Sequence, residues 1–219
     1  GRAAAAGVIW TGPACLLPGA GGGVYVFGPP AFLVLAVSVL SSVVVEGIMG
    51  RLANRSTLHD GSAVLTGLLI GMGMPPGVPL YLPIVASVFA LAVVKWTFGG
   101  LGGNWMNPAL AGRVFIFFSW TGPMTGWRMP STLLDAPGGL PESISGATPL
   151  GIVQAGRRVA TGATGGPRAL LREAGYPVSS FDGAATDWLN ARVLGPLGID
   201  LPGGYLDLFV GNLPGSIGE

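Results

Sequence analysis

The sequence predicts an all-α fold: a polytopic integral membrane bundle with short or broken helices and one long extramembrane loop. Three observations predict it. Of 219 residues, 50% are hydrophobic and only 10% charged, where soluble domains carry about 25% charged residues; mean hydropathy is +0.62. Between Gly61 and Gly112 the only charged side chain is Lys95, which no water-facing surface would tolerate. The apolar runs are cut by glycine and proline clusters, a pattern membranes accept where the freed backbone groups face protein.

The remaining composition narrows the chemistry. A net charge of +1 gives no reason to expect a nucleic-acid partner. Cys15 is the only cysteine, so the chain holds no internal disulfide and no cysteine-clustered metal or iron–sulfur site. His59 is the only histidine, which leaves a His-based triad or zinc site without partners; it reads as a loop residue at a membrane surface.

In chain order, Ala3–Leu17 is apolar but broken by Gly12-Pro13 and shorter than the roughly 20 residues a crossing needs. It is expected to be a truncated membrane helix, and the chain to be a fragment at both ends. Gly19–Gly23 reads as a glycine-rich turn. Residues 24–49 are almost wholly apolar, with Pro29-Pro30 where a helix start accepts proline. Glu46, near the far end, is read as an interfacial carboxylate beside Arg51 in preference to a residue of a cation pathway.

Arg51–Asp60 is a short polar connection. Asp60 and Ser62 are N-cap candidates for an apolar helix over 62–74, halted by Pro75-Pro76-Gly77. A second span over 79–98 is closed by Gly99-Gly100-Leu101-Gly102-Gly103. A third covers 105–120, with Asn107 as cap and Pro108 at the first helical position. Arg113 inside it needs an acid, a phosphate or water. Residues 1–120 are thus assigned to transmembrane helices, 121–202 to an extramembrane loop with short helices at Leu170–Ala174 and Asp187–Leu194, and 203–219 to the start of a further membrane helix. The basic connection belongs in the cytoplasm. Counting crossings from there puts the long loop outside it.

On that loop lies Ser145-Gly146-Ala147-Thr148-Pro149-Leu150. On residue chemistry alone it is an exposed threonine followed by a turn. Small Gly146 and Ala147 leave its hydroxyl uncovered, and Pro149 biases Thr148 toward extended backbone. Two similar stretches differ: Thr161-Gly162-Ala163-Thr164 is followed by two glycines, and Asp182-Gly183-Ala184-Ala185-Thr186 has another spacing.

The ordered blocks Asp60–Leu69, Met74-Pro75-Pro76, Lys95–Gly102, Asn107-Pro108-Ala109, the hexapeptide 145–150 and Gly211–Glu219 together resemble one family. It is the family of the D subunit of the Rnf-type ion-translocating electron-transport complex, homologous to the B subunit of the Na+-translocating NADH:quinone oxidoreductase. The resemblance implies FMN on Thr148 through a phosphoester, flanked by Ser145, Gly146, Ala147, Pro149 and Leu150 and installed by a flavin transferase outside the cytoplasm. It also implies a bacterial inner membrane, other subunits of the complex as partners, and electron relay coupled to Na+ or H+ movement between ferredoxin and NAD. No catalytic residue and no metal ligand is assigned in this chain. The alternative reading is a cofactor-free channel or secondary transporter with half-helices around Asn107-Pro108-Ala109; a water channel would need a second such triplet, which the sequence lacks.

Overall fold

The computed structural model describes residues 2–55, 57–100, 102–128, 130, 179–194, 205–212 and 214–218. These are helical, with no β-strand among them. Two compact units are present: residues 1–126 with 216–219, and residues 127–215.

The first unit begins with α1 (Arg2–Phe27), which runs unbroken through Pro13, Pro18 and the expected turn at Gly19–Gly23. The turn expectation is therefore corrected. Glycine marks close approach to α3 (Ser62–Met72) instead. A methyl group on Gly12 would stand 3.2 Å from Leu65, and one on Gly19 3.3 Å from Met72. Packing of this kind repays what glycine forfeits in helix propensity.

Helix α2 starts later than expected, spanning Pro29–Leu52 with prolines in its first turn. At about 1.5 Å per residue its 24 residues span roughly 36 Å, and an 18-residue stretch within it has a mean hydropathy of 2.3. It is the one described helix long and apolar enough to cross a membrane. Its polarity is inside out. Leu33, Leu40, Val44, Ile48 and Leu52 are exposed, while Ser38, Ser42 and Glu46 are fully buried on the opposite face. A water-soluble amphipathic helix has the reverse arrangement.

Helix α3 has eleven residues, about 16 Å, or half the thickness of a bilayer core. Gly61 opens it in the left-handed region, φ 74°, with the Trp10 ring where a side chain would go. Asp60 Oδ1 accepts the Ser62 amide at 2.9 Å and its hydroxyl at 2.6 Å. Its far end is closed by the last described residues: Ile217 N donates to Met74 O at 3.1 Å and Gly218 N to Met72 O at 2.9 Å. Against α2, a methyl on Gly67 would sit 2.7 Å from Val39 Cα and 2.9 Å from Ser38 O. Both are backbone atoms that cannot move aside. Gly67→Val is expected to lower stability by about 1–3 kcal/mol, read as a fall in the melting temperature of the detergent-solubilised protein.

Helix α4 (Tyr81–Val88) passes directly into a π-helical segment, Phe89–Trp96. After a turn in which Gly99, Gly100 and Gly102 all have positive φ, α5 covers Pro108–Ser119. Asn107 Oδ1 caps it, accepting from Ala109 N at 2.9 Å and Leu110 N at 3.5 Å. Helix α6 is the short Thr121–Thr125. The core between these elements is built from Ala31, Val34, Ile70, Leu82, Ala86 and Ile116.

In the second unit, α7 spans Ser180–Leu189 and continues as a π-helical turn, Asn190–Leu194; α8 is Tyr205–Val210. The expected helix from Asp187 thus starts seven residues earlier, at Ser180. Ser179 is the N-cap, its hydroxyl accepting from Asp182 N at 3.2 Å. A serine three residues before an acid is a capping signature that is legible in Ser179 and Asp182. The six residues of α8, a stretch expected to approach a membrane crossing, are tied in through Asp207. Its carboxylate accepts Ser179 N at 2.8 Å, Ser179 Oγ at 2.6 Å and Asn212 Nδ2 at 2.9 Å.

Candidate functional site

The expectation that Glu46 stands beside Arg51 at an interface is corrected by the fold. Arg51 is exposed, and Glu46 is fully buried inside the first unit with a different partner. Lys95 Nζ lies 2.7 Å from Glu46 Oε1, both side chains at most 3% exposed. The reason is geometric. Glu46 falls four residues after Ser42 and eight after Ser38, so α2 points it inward with the serines.

Each remaining polar atom at this pair has a partner. Lys95 Nζ also donates to Ser62 Oγ at 2.7 Å, and Ser62 Oγ donates to Asp60 Oδ1. Trp96 Nε1 donates to Glu46 Oε2 at 3.1 Å, and the Thr57 hydroxyl donates to Glu46 Oε1. Four segments of chain thus meet on one carboxylate–ammonium pair. Buried ions need this kind of satisfaction, because removing a charge from water costs several kcal/mol.

One helical turn from the pair lies a hydroxyl cluster. Ser41 and Ser42 donate to Ser87 Oγ at 2.9 and 3.0 Å, Ser87 donates to Pro83 O at 2.8 Å, and Ser38 donates to Gly67 O at 2.7 Å. The buried face of α2 is apolar at Ala31, Val34 and Leu35 and becomes polar from Ser38 through Ser42 to Glu46, while its exposed face is apolar.

Lys95 and Ser62 also form part of the wall of a cavity of about 420 Å³, with Thr66, Leu69, Asn104 and Asn107 among the other residues around it. That is within the size range of small-molecule sites. Its polar side chains already have partners within the protein: Lys95 on Glu46 and Ser62, Thr66 Oγ1 on Ser62 O, Asn104 Nδ2 on Met106 O, and Asn107 Oδ1 at the start of α5. No grouping of His, Cys, Asp or Glu suited to a metal ion occurs among the described residues.

The other residues singled out in the sequence fare differently. Ser145, Gly146, Ala147, Thr148, Pro149 and Leu150 lie outside the described residues, as do Thr161–Thr164 and Leu170–Ala174. Thr186 of the second similar stretch is buried in α7, its hydroxyl donating to Asp182 Oδ1 at 2.9 Å, so it offers no accessible oxygen. Asn107 is engaged as a helix cap. Arg113 is half-buried against the end of α3, where a methyl on Gly73 would meet its Cδ at 3.0 Å. His59 and Cys15 are exposed. The Glu46–Lys95 pairing is the feature that sequence reasoning misses. The available signal is two lone opposite charges in separate apolar helices, each requiring a buried partner.

Helices with apolar outer faces enclosing an ion pair and serine hydroxyls define a helical protein of the membrane type. More particularly, residues 2–219 match the family described as NQR2, RnfD, RnfE, and the chain belongs to it. The D subunit of the Na(+)-translocating ferredoxin:NAD(+) oxidoreductase complex of Acetobacterium woodii is 42% identical over 143 residues, 64% of this chain and 42% of that protein. The D subunit of the ion-translocating oxidoreductase complex of Shewanella amazonensis is 41% identical over 131 residues, covering 58% and 38%. The D subunit of the proton-translocating ferredoxin:NAD(+) oxidoreductase complex of Clostridium ljungdahlii is 38% identical over 149 residues, covering 67% and 43%. The matches span about two fifths of the length of these relatives.

Proposed function

We propose that the chain is part of a polytopic bacterial inner-membrane subunit that relays electrons in a multi-subunit, ion-translocating oxidoreductase of the Rnf type. The observation that carries this reading is family membership over residues 2–219, together with relatives named as the D subunits of such complexes. The inside-out polarity of α2 supports a lipid surround. The complex would couple electron transfer between ferredoxin and NAD to the movement of Na+ or H+; the names of two relatives specify one ion each.

Within that role, Thr148 carries FMN through a phosphoester, installed by a flavin transferase. The support is chemical: small residues before the hydroxyl give a modifying enzyme room, and a following proline biases Thr148 toward extended backbone. When bound, the flavin supplies one- and two-electron redox chemistry, and the chain positions it. A phosphate link engages the side-chain oxygen and leaves the ring free. Tethering also keeps the local concentration high where free FMN is scarce.

The decisive experiment is mass spectrometry of the 143–157 peptide from the mature complex, which should carry one FMN on Thr148. An unmodified peptide from fully matured protein overturns the flavin assignment. Counting crossings from the basic connection Arg51–Asp60 puts Thr148 on the extracytoplasmic side in this reading. Ser143→Cys, in a background lacking Cys15, is therefore expected to react with membrane-impermeant maleimide on intact cells, and protection until the cells are opened would reverse the orientation.

A further inference from the structure

The segment Phe89–Trp96 is π-helical over eight residues, although π turns ordinarily occur singly and at functional positions. Its effect is visible in where side chains fall. Ile84, Val88 and Val93 are exposed, at spacings of four and then five. Ser87 and Lys95, eight residues apart, both face α2. At about 100° per residue an uninterrupted α-helix would put Lys95 roughly 80° away from Ser87. One wide turn takes up an extra residue and returns it to within about 20°. In an α-helical register the position facing α2 would belong to Val94 instead. The π register is thus what delivers an ammonium to Glu46.

A register this unusual has to be held, and the restraints are identifiable. Lys95 binds Glu46 and Ser62, and Trp96 binds the same carboxylate. At the other end Phe89 stacks on Phe115, centroids 4.2 Å apart and planes 4° from parallel. Gly100 N donates to Lys95 O at 3.0 Å, five residues back. The glycines that follow, with φ of 95°, 93° and 88°, provide the slack to absorb a one-residue slip.

We propose that Phe89–Trp96 is a two-register switch, latched in its π form by the Glu46–Lys95 pair and released to an α form, with Val94 facing α2, when the attraction of Glu46 is lost. Release turns Lys95 by about 100° out of the seam and removes its ammonium from Ser62. The latch would therefore couple the Glu46–Lys95 contact in the α2 seam to the wall of the adjoining cavity.

The structural test is structure determination of the assembled complex carrying Glu46→Leu. The expected result is an α-helical 89–96 with Val94 packed on residue 46. Lys95 still facing α2 through a wide turn would overturn the proposal. If that variant does not assemble, the register is read in the double variant Glu46→Leu/Lys95→Met, where Val94 packed on residue 46 is the expected result and residue 95 still facing α2 through a wide turn would overturn the proposal. The functional test deletes Ala92, which removes the extra residue and leaves Lys95 opposite Glu46 in a plain α-helix with no second register. The assembled deletion variant is expected to lose ferredoxin:NAD turnover by at least about tenfold, about 1.4 kcal/mol; turnover within about twofold of the parent would overturn the proposal. The turnover arm rests on the function proposed above, whereas the structural arm does not, so failure of one is distinguishable from failure of the other.

Discussion

Thr148→Ala is expected to abolish covalent flavin altogether. In the parent protein, expressed with its flavin transferase and run on a denaturing gel, the polypeptide should give a fluorescent band, because a phosphoester survives denaturation while a non-covalently bound flavin is lost. The variant should migrate identically and be dark. The loss is all-or-none, since alanine has no oxygen to esterify. Thr148→Ser separates chemistry from context: it keeps a hydroxyl, so the transferase can act if it reads the neighbouring residues rather than the threonine methyl. Thr164→Ala controls for the similar stretch Thr161-Gly162-Ala163-Thr164 and should stay fluorescent. A bright Thr148→Ala band would move the attachment elsewhere, whereas a dark parent under full maturation would remove the flavin from this chain.

What is legible in the sequence, and what is not, follows from the range of the interactions. Local signals read well. Asn107-Pro108 caps α5 as written, Pro75-Pro76-Gly77 stops α3, and the glycines from Gly99 end the helix before them, because caps and breakers act within a few residues. The failures involve partners distant in sequence. Gly19–Gly23 reads as a turn because glycine usually breaks helices, yet the helix runs through it, with Gly19 closing on Met72 of α3 and Gly23 on Ile217. Glu46 reads as the partner of Arg51, its neighbour in sequence, when its partner is Lys95, 49 residues on. The π register is beyond reach for a related reason. Nothing in Phe89-Ala90-Leu91-Ala92 announces a wide turn, which exists because tertiary contacts on both ends hold it. Inside an apolar bundle, a charge takes whichever opposite charge the fold brings near.

That pairing carries the largest expected effect on stability. Lys95→Met leaves the Glu46 carboxylate buried with only the Trp96 and Thr57 donors, and Glu46→Leu strips the Lys95 ammonium of its counter-ion. Removing one member of a buried pair costs about 3–5 kcal/mol, a large part of the roughly 5–15 kcal/mol that holds a domain folded. Solvent does not soften the loss, since both side chains are at most 3% exposed. Either single variant should therefore show a sharply lower melting temperature in detergent, together with poor assembly. The double variant Glu46→Leu/Lys95→Met replaces the charges with apolar groups of similar size and no longer buries an unpaired ion. Such exchanges are commonly neutral or stabilising by about 1–4 kcal/mol, so the double variant should recover most of the loss. The double-mutant cycle separates the coupling between the two residues from whatever each contributes through Ser62, Thr57 and Trp96. Strictly additive losses would mean that Lys95 and Glu46 do not act on one another, and the central pair of this bundle would have to be discarded. Strong coupling with a stable double variant would instead leave the charges free to be retained for function, since an apolar pair holds the helices equally well.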